Sequence, residues 1–556
     1  MIFRRLVIAL STQRRSLSQF SPTTHRLPPS IHQLLSSSTN SSATHPHTVT
    51  ISGWIKSIRR QKNVCFAVIT DGSSAKGLQA VFVGRGKDAE EVKRLTNGAA
   101  VRLTGKLVTS PGKGQAKELV IELEGGDGSN TDPGRVELLG ECPPETYPIQ
   151  KQSLSTEYLR EHTHLRARTD RIASMIRLRS TLKRNINDWF EAQGFHFAHT
   201  PILTSNDAEG GGEAFRIAPV HGEHPAAIAA RQSSQDSSSS TSASTGNTPS
   251  QNHAPTDFFS RPAYLTVSHQ LHLEALCASL SRVYTLSPCF RAEPSLTGRH
   301  LSEFWMLEAE WAFDGFDFAR ENGTEEICKF VEALLRSAVA PLMLPDGTGK
   351  RNEDVDLLWK HATSSDAPSK LASLENALSS ITPWTRISYS DGIRELAKYH
   401  EVKGSRSDFK YEPTYGRGLQ SEHERWLAET LVGGPVFVTD YPAALKPFYM
   451  RRNNNTTNTN GGDGDMAACF DLLMPGVGEL VGGSVREERL ELLAVRMEEA
   501  GMGGDEYEWY RDLRRYGSAP HGGFGMGFER LVALVGGVEN IRECVVVPRW
   551  AGRMAL

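Results

Sequence analysis

The stretch that most limits what this chain can fold into is "CFRAEPSLTGRHLSEFWMLEAEW", residues 289 to 311. It threads Arg291, Glu293, Arg299, His300, Glu303, Glu308 and Glu310 through Phe, Trp, Met and Leu. Charges among large apolar side chains are costly unless they are paired or turned on a ligand. The stretch is therefore a buried ion-pair network or a site for something charged. Its period is two: Phe304, Met306, Glu308 and Glu310 share one strand face, and Trp305, Leu307 and Trp311 the other. The second face is core, so the first meets a partner or ligand. "PSLTGRH" between the two runs has turn composition, which makes the segment a β-hairpin carrying Arg299 and His300 on its loop.

Two later stretches repeat the theme. In "CFDLLMPGVGELVGGSVREER" (469–489), Asp471 and Glu479 are strand-borne carboxylates, and Gly482 and Gly483 give close backbone access to Arg486. Carboxylates beside a polyanionic substrate suit Mg²⁺, which takes oxygen ligands and keeps waters. "HGGFGMGFERLVALV" (521–535) reads as a Gly-rich strand running into an amphipathic helix with Arg530 near its start and His521 at its head. The seven cysteines, at 65, 142, 277, 289, 328, 469 and 544, include no C-x-x-C pair. That spacing argues against a zinc knuckle or disulfide framework and suits a reducing compartment.

At 556 residues the chain has room for about two to four domains. A formal net charge of −3 leaves nucleic-acid contact to a local patch. No run approaches the roughly 18 to 20 apolar residues of a membrane span, so no membrane partner is expected. The first acidic residue is Asp71, whereas Arg4, Arg5, Arg14, Arg15 and Arg26 stand among serines and threonines before Thr48. An Arg-rich, Ser-rich, acid-free start reads as a transit peptide over residues 1 to 48, with the mitochondrial matrix as destination. Its removal would leave 57 basic against 65 acidic side chains.

From Val49 to about residue 125, five alternating apolar runs separated by Gly-rich turns read as a small closed β-barrel of the OB type. Arg59, Arg60 and Lys62 beside Phe66 combine basic and aromatic groups, as single-stranded nucleic acid requires. A linker over 126–150 follows, then a larger domain over 151–556. Ile172, Ile176, Leu182, Ile186, Trp189 and Phe190 recur at helical spacing, with Gly194 as the stop, and Pro201 confines the next strand to an edge or interface. Polar tracts at 223–257 and 453–465 read as surface insertions.

The order of these elements resembles the class II aminoacyl-tRNA synthetases. "FRAE" with "RHLSEF" looks like their motif 2, "GFGMGFER" like motif 3, and the Pro201 segment like dimer-forming motif 1. The finer text, "TPILTSNDAEGGGEAF", "DYPAALKPFYMR", "GELVGGSVREER" and "LRRYGSAPHGGFGMGFERL", is similar to the asparaginyl branch of that family, over about residues 49 to 549. The resemblance implies an α+β protein, with an N-terminal OB-fold reading the anticodon and an antiparallel catalytic sheet flanked by helices. It implies ATP as substrate, Mg²⁺, L-asparagine, tRNA(Asn) and a second copy of the chain as partners. Arg291 would hold the α-phosphate, with Glu293 and Arg530 beside it in the catalytic set. Phe304 and Arg530 would sandwich adenine, Arg299 or His300 would reach the distal phosphates, and His521 would contact ATP. Asp471 and Glu479 match metal-binding carboxylates. Glu209, Ser268 and Gln270 match groups around the substrate amino group, and Phe66 and Gln79, with Arg60, the anticodon contacts.

In the related aspartate enzymes the segment matching "SHQLHLEA" carries a lysine; here Leu273 stands there, and Glu308 and Arg486 would face the substrate side chain. An amide can donate to Glu308 and accept from Arg486, whereas a carboxylate would meet Glu308 without a compensating lysine. Against this stand an aspartyl enzyme, disfavoured by Leu273 and Glu308, and an inactive RNA-binding paralogue, which has no need of Arg291, Asp471, Glu479 and Arg530 together. A tRNA-independent asparagine synthetase would not need the barrel. His269, where the family text has glycine, and Pro294 after "RAE" depart from the pattern.

Overall fold

The computed structural model describes residues 27–37, 47–83, 90–112, 114–123, 134–205, 214–217, 258–259, 261–295, 297–404, 409–453 and 465–556. The chain divides into two compact units, Met1–His162 and Thr163–Leu556.

In the first unit β1 (His47–Arg60), β2 (Cys65–Thr70), β3 (Leu78–Val83), β4 (Ala100–Thr109) and β5 (Lys117–Glu122) pair in the order β1-β2-β3-β5-β4, and β4 returns to β1 to close the barrel. The alternation seen in the sequence is the cause. Cys65, Ala67 and Ile69 of β2 and Leu78, Ala80 and Phe82 of β3 point inward and are buried, with Ile51, Ile55, Val101, Leu103, Leu119 and Ile121. Long β1 serves both neighbours, β4 through His47–Trp54 and β2 through Trp54–Arg60, and a register shift between Ile55 and Ser57 turns the corner.

Two boundaries differ from the sequence reading. The stretch assigned to a linker contains β6 (Arg135–Gly140), which adds to the barrel sheet alongside β4. The stretch assigned to a removable presequence contains the helix Ile31–Ser36, whose Ile31 and Leu34 belong to the barrel core at 1% and 7% exposure. Burying each such side chain stabilises a fold by roughly 1.5–3 kcal/mol. Residues 1–26 lie outside the described residues.

The second unit is built on an eight-stranded sheet in the order β13-β14-β15-β16-β17-β12-β11-β7. Its strands are β7 (His196–Phe197), β11 (Arg282–Phe290), β12 (Glu303–Ala312), β13 (Thr385–Ser388), β14 (Val436–Pro442), β15 (Met466–Met474), β16 (Gly478–Val485) and β17 (His521–Gly527). Pairing is antiparallel except at the two edges, β13 on β14 and β7 on β11. A small sheet of β8 (Leu203–Thr204), β9 (Arg216–Ile217) and β10 (Ala263–Leu265) lies in the same unit.

One face of the large sheet is core. Leu307, Ala309 and Trp311 of β12, with Phe524 and Met526 of β17 and Val481 and Val485 of β16, pack into a cluster with helices Asp170–Ala192, Phe316–Met343 and Phe528–Gly536. The first of these helices buries Ile172, Leu182, Ile186 and Phe190, and Gly194 ends its turn at φ +77°, a conformation glycine adopts freely. The 453–465 tract leaves and re-enters side by side: Asn453 N donates to Met466 O at 2.8 Å, with residues 454–464 outside the described set. The 223–257 tract is likewise outside it. Among the described residues no helix is long and apolar enough to cross a membrane.

Candidate active site

Register assembles the second face of the sheet. Reading across strands, Thr285, Glu308, Gly525, Gly482 and Asp471 form one row, and Val283, Glu310, Gly523, Ser484 and Cys469 the next. The glycines keep the floor low so that side chains from the flanking strands can lie over it. A Cβ on Gly523 would come within 2.5 Å of the Glu310 carboxyl carbon, so only glycine fits beneath that group.

At one end of this floor Arg291, Glu293, Arg299, His300, Phe304 and Arg530 line a single cavity of about 160 Å³, together with Met306, Glu479, Gly525 and Gly527. The Arg291 guanidinium lies 5.5 Å from the Phe304 ring centre, and Arg530 Nη1 donates to Glu479 O at 2.6 Å. Glu293 is flanked by His300 Nε2 at 3.3 Å and Arg291 Nη1 at 3.9 Å. His300 Nδ1 meets Thr297 Oγ1 at 2.6 Å and Ser295 Oγ at 2.9 Å, so the hairpin loop is held from within. Burial, with the charges of Arg425 and Arg530, lowers the Arg299 pKa against the opposing carboxylates of Glu424 and Glu429. Glu529 ties this end to the core helix: its carboxylate accepts from Trp305 N at 2.9 Å and meets Arg179 at 2.7 Å.

Three carboxylates gather at the side. Asp471 and Glu479 were legible in the sequence; Glu424, from the helix Ser421–Trp426, was not. Glu424 accepts from Glu479 N at 3.2 Å, and burial, then the charges of Glu479 and Asp471, push it up to about 7. Lys446 Nζ grips both Asp471 oxygens at 2.7 and 3.0 Å; burial works to lower the lysine, but Asp471, joined by Cys469 and Glu479, raises it. All-oxygen donors carrying repelling charge fit a hard divalent cation, which would relieve the repulsion.

At the other end lie the residues expected around the amino acid. Glu308, 4% exposed, accepts from Ser268 Oγ at 2.6 Å and His269 N at 2.9 Å. Arg486, 2% exposed, is not its partner: the guanidinium engages Glu310 through both carboxylate oxygens, and also Ser484 Oγ. Gln270 Nε2 donates to Glu274 Oε1 at 3.0 Å, and Glu274 Oε2 further collects Tyr510 OH and Arg514, each at 2.7 Å. Burial works to raise Glu274, but Arg514, His521 and Arg486 hold it well below the usual carboxylate range. His521 belongs to this network, 3.1 Å from Glu274, rather than to the ATP end where the sequence reading put it. Leu273 is fully buried with Ala198, Cys277 and Val283.

The departure at His269 is absorbed as a buried brace. Its ring lies between Thr200 Oγ1 at 2.8 Å and Pro288 O at 3.1 Å. Its ring, Cys289 and Glu308 also sit close enough to hold a metal, but both ring nitrogens are already engaged. Glu209 lies outside the described residues.

On the barrel, Phe66, Val81 and Gln79 share the outward face. Arg59, directly across from Phe66, holds its guanidinium 5.4 Å from that ring, whereas Arg60 pairs with inward-facing Cys65. Arg60 Nη2 donates instead to Val92 O, Lys93 O and Leu95 O, at 2.8 to 3.2 Å, closing the end of the short helix Glu90–Lys93. The basic neighbour of Phe66 is therefore Arg59, and Arg60 is a structural residue. Gln79 Nε2 reaches Glu118 Oε2 at 3.3 Å.

Comparison with known proteins follows the same division. Residues 155–551 match the model for tRNA synthetases class II (D, K and N), and residues 49–124 that of the OB-fold nucleic acid binding domain. The chain is 39% identical to an asparagine–tRNA ligase of Legionella pneumophila (strain Lens) over 508 residues, 91% of this chain and 95% of that one. It is 40% identical to the Xanthomonas campestris pv. campestris (strain 8004) counterpart over 505 residues, with the same coverage. The asparaginyl-tRNA synthetase of Pyrococcus horikoshii complexed with asparaginyl-adenylate superposes with a TM-score of 0.69 at 29% identity, covering 92% of this chain and 96% of that one.

Proposed function

The chain belongs to the class II tRNA synthetases of the D, K and N group, and on that premise we propose how its floor of charges carries out asparagine–tRNA ligation. It is an ATP-dependent aminoacyl-tRNA ligase that joins asparagine to tRNA.

A carboxylate oxygen of asparagine attacks the α-phosphorus of ATP, the bond to the pyrophosphate oxygen breaks, and the tRNA terminal hydroxyl then displaces AMP from the mixed anhydride. No protein nucleophile takes part, so catalysis is positioning and electrostatics. Arg291 stabilises the charge growing on the α-phosphate, and Phe304 and Arg530 enclose adenine from two sides. Arg299 and His300 face the distal phosphates. Asp471, Glu479 and Glu424 would hold Mg²⁺, whose charge would offset that of the distal phosphates. Ser268 and Gln270 serve the amino group of the amino acid. Glu308 takes the amide NH₂ and Arg486 donates to the amide oxygen.

The observation that carries the specificity is that Glu308 and Arg486 are held apart, each on its own partners, while Leu273, where the aspartate enzymes carry a lysine, is an uncharged residue buried in an apolar cluster. An amide matches one acceptor and one donor, whereas aspartate would press a second carboxylate onto Glu308. A site of this kind can discriminate by about 10⁴ to 10⁵. Arg291→Ala is expected to abolish asparagine-dependent ATP–pyrophosphate exchange while leaving the melting temperature unchanged; full activity in that variant would remove Arg291 from the mechanism.

Dimerisation fits the half-exposed Phe197, Ile202 and Leu203 around Pro201 at the sheet edge, an apolar strip that a second copy would cover. Phe66, Gln79 and Arg59 form the anticodon-facing surface of the barrel. The five arginines before Leu27, with no acidic residue among them, support import into the mitochondrial matrix.

A further inference from the structure

We propose that residues 30–37 are a permanent plug of the barrel, so that the cleavage releasing the N-terminal targeting segment falls upstream of Ser30. The maturation half of this proposal rests on the import reading above; the plug itself does not.

Sequence and structure break at the same place. All five N-terminal arginines lie within residues 1–26, and residues 27–48 contain no Asp, Glu, Lys or Arg. The helix Ile31–Ser36 opens on a reciprocal cap, Ser30 Oγ accepting from Gln33 N at 3.3 Å and Gln33 Oε1 from Ser30 N at 2.8 Å. Six residues cannot hold a helix alone in water, so tertiary contacts supply its stability. Those contacts come from three elements of the barrel. Ile31 and Leu34 enter the core. The turn after β2 receives the start of the helix, Asp71 Oδ2 accepting from Ile31 N at 2.8 Å and Ser73 Oγ from His32 N at 3.0 Å. Lys117 of β5 receives its end, Nζ donating to Leu34 O at 2.7 Å, Ser37 O at 2.8 Å and Ser37 Oγ at 3.0 Å. Lys117 thus adds a charged donor at Leu34 O, where Ser37 Oγ already donates at 2.9 Å, and reaches Ser37 O beyond the helix end.

Cleavage past Ser30 would uncover the barrel core and strip Lys117 of these acceptors. A processing endopeptidase binds an extended, accessible strand, and over 31–36 the backbone is helical and its two ends are bonded to the barrel. Upstream of Ser30, hydrolysis adds the hydroxyl of water to the released carbonyl carbon and leaves a free amine on the mature chain. The plug stays in place.

Two measurements test this. The full chain is incubated with isolated mitochondria and the N-terminus of the product read by mass spectrometry. A product beginning at or before Ser30 is expected, and one beginning at Ile31 or later would overturn the proposal. In parallel, chains beginning at Leu27 and at Thr48 are compared with the full chain and with full-length Ile31→Asp/Leu34→Asp. The Leu27 chain should match the full chain in melting temperature and tRNA charging, while the Thr48 chain and the double variant should melt lower and charge less. Equal behaviour of the Leu27 and Thr48 chains would overturn the plug. Absence of any processing, with the expected difference between the two chains, would overturn the import reading and uphold the plug.

Discussion

Glu308 and Glu310 stand two residues apart on one strand face, yet the structure gives them different work. Glu310 holds Arg486 through three hydrogen bonds in a sealed environment, and Glu308 is braced by Ser268 and the His269 amide. Removing one partner of a buried ion pair leaves an uncompensated charge, so Glu310→Ala should cost about 3–5 kcal/mol of stability, read by urea unfolding. Glu308→Gln should keep stability near native and lose discrimination between asparagine and aspartate in pyrophosphate exchange. Equal destabilisation by both changes would undo this division. Glu424 supplies a pH signature in metal-free protein. Its folded pKa, about 7, lies above the ordinary 4.5, so its ionisation disfavours the fold as pH rises through that window. Glu424→Gln should therefore melt above native at pH 8.5 and converge with it near pH 4, below the unfolded value; a constant difference at both would contradict the assignment. The period of two was enough to place both glutamates on the working face. Which one takes Arg486 depended on the row shared with Gly523 and Ser484, information that lies across three strands.

Elements with a strong repeat were legible, and those without were not. The long helix Asp170–Ala192 and the five barrel strands announced themselves by period. The helix Ile31–Ser36 is too short to display a 3.6-residue repeat, and it sits in serine-rich text that reads as targeting. β6 follows a Gly- and Asp-rich stretch that masked it. Arg59 and Arg60 show the limit of composition, since strand parity alone decides which one accompanies Phe66. Arg59→Met should lower the salt dependence of tRNA binding by about one counterion. Arg60→Met should leave that slope unchanged and lower the melting temperature of the barrel, because three backbone carbonyls lose their donor. The opposite pattern would return Arg60 to the binding face.

At the scale of the whole molecule the chain joins a barrel bearing a basic, aromatic face to a sheet whose open side is a charged floor. Fold class and ATP end were readable because chemistry forced costly residues into an apolar, alternating text. The Glu274–Arg514–His521 network and Glu424 were not, because they converge from helices and strands far apart in sequence. On the proposal above, one carboxylate and one guanidinium, held apart, select an amide. Amino-acid-dependent ATP–pyrophosphate exchange on the full chain, comparing asparagine, aspartate and lysine, puts that selection to the test. Exchange with asparagine alone is predicted; exchange with aspartate at a comparable rate would contradict the account of Glu308 and Arg486.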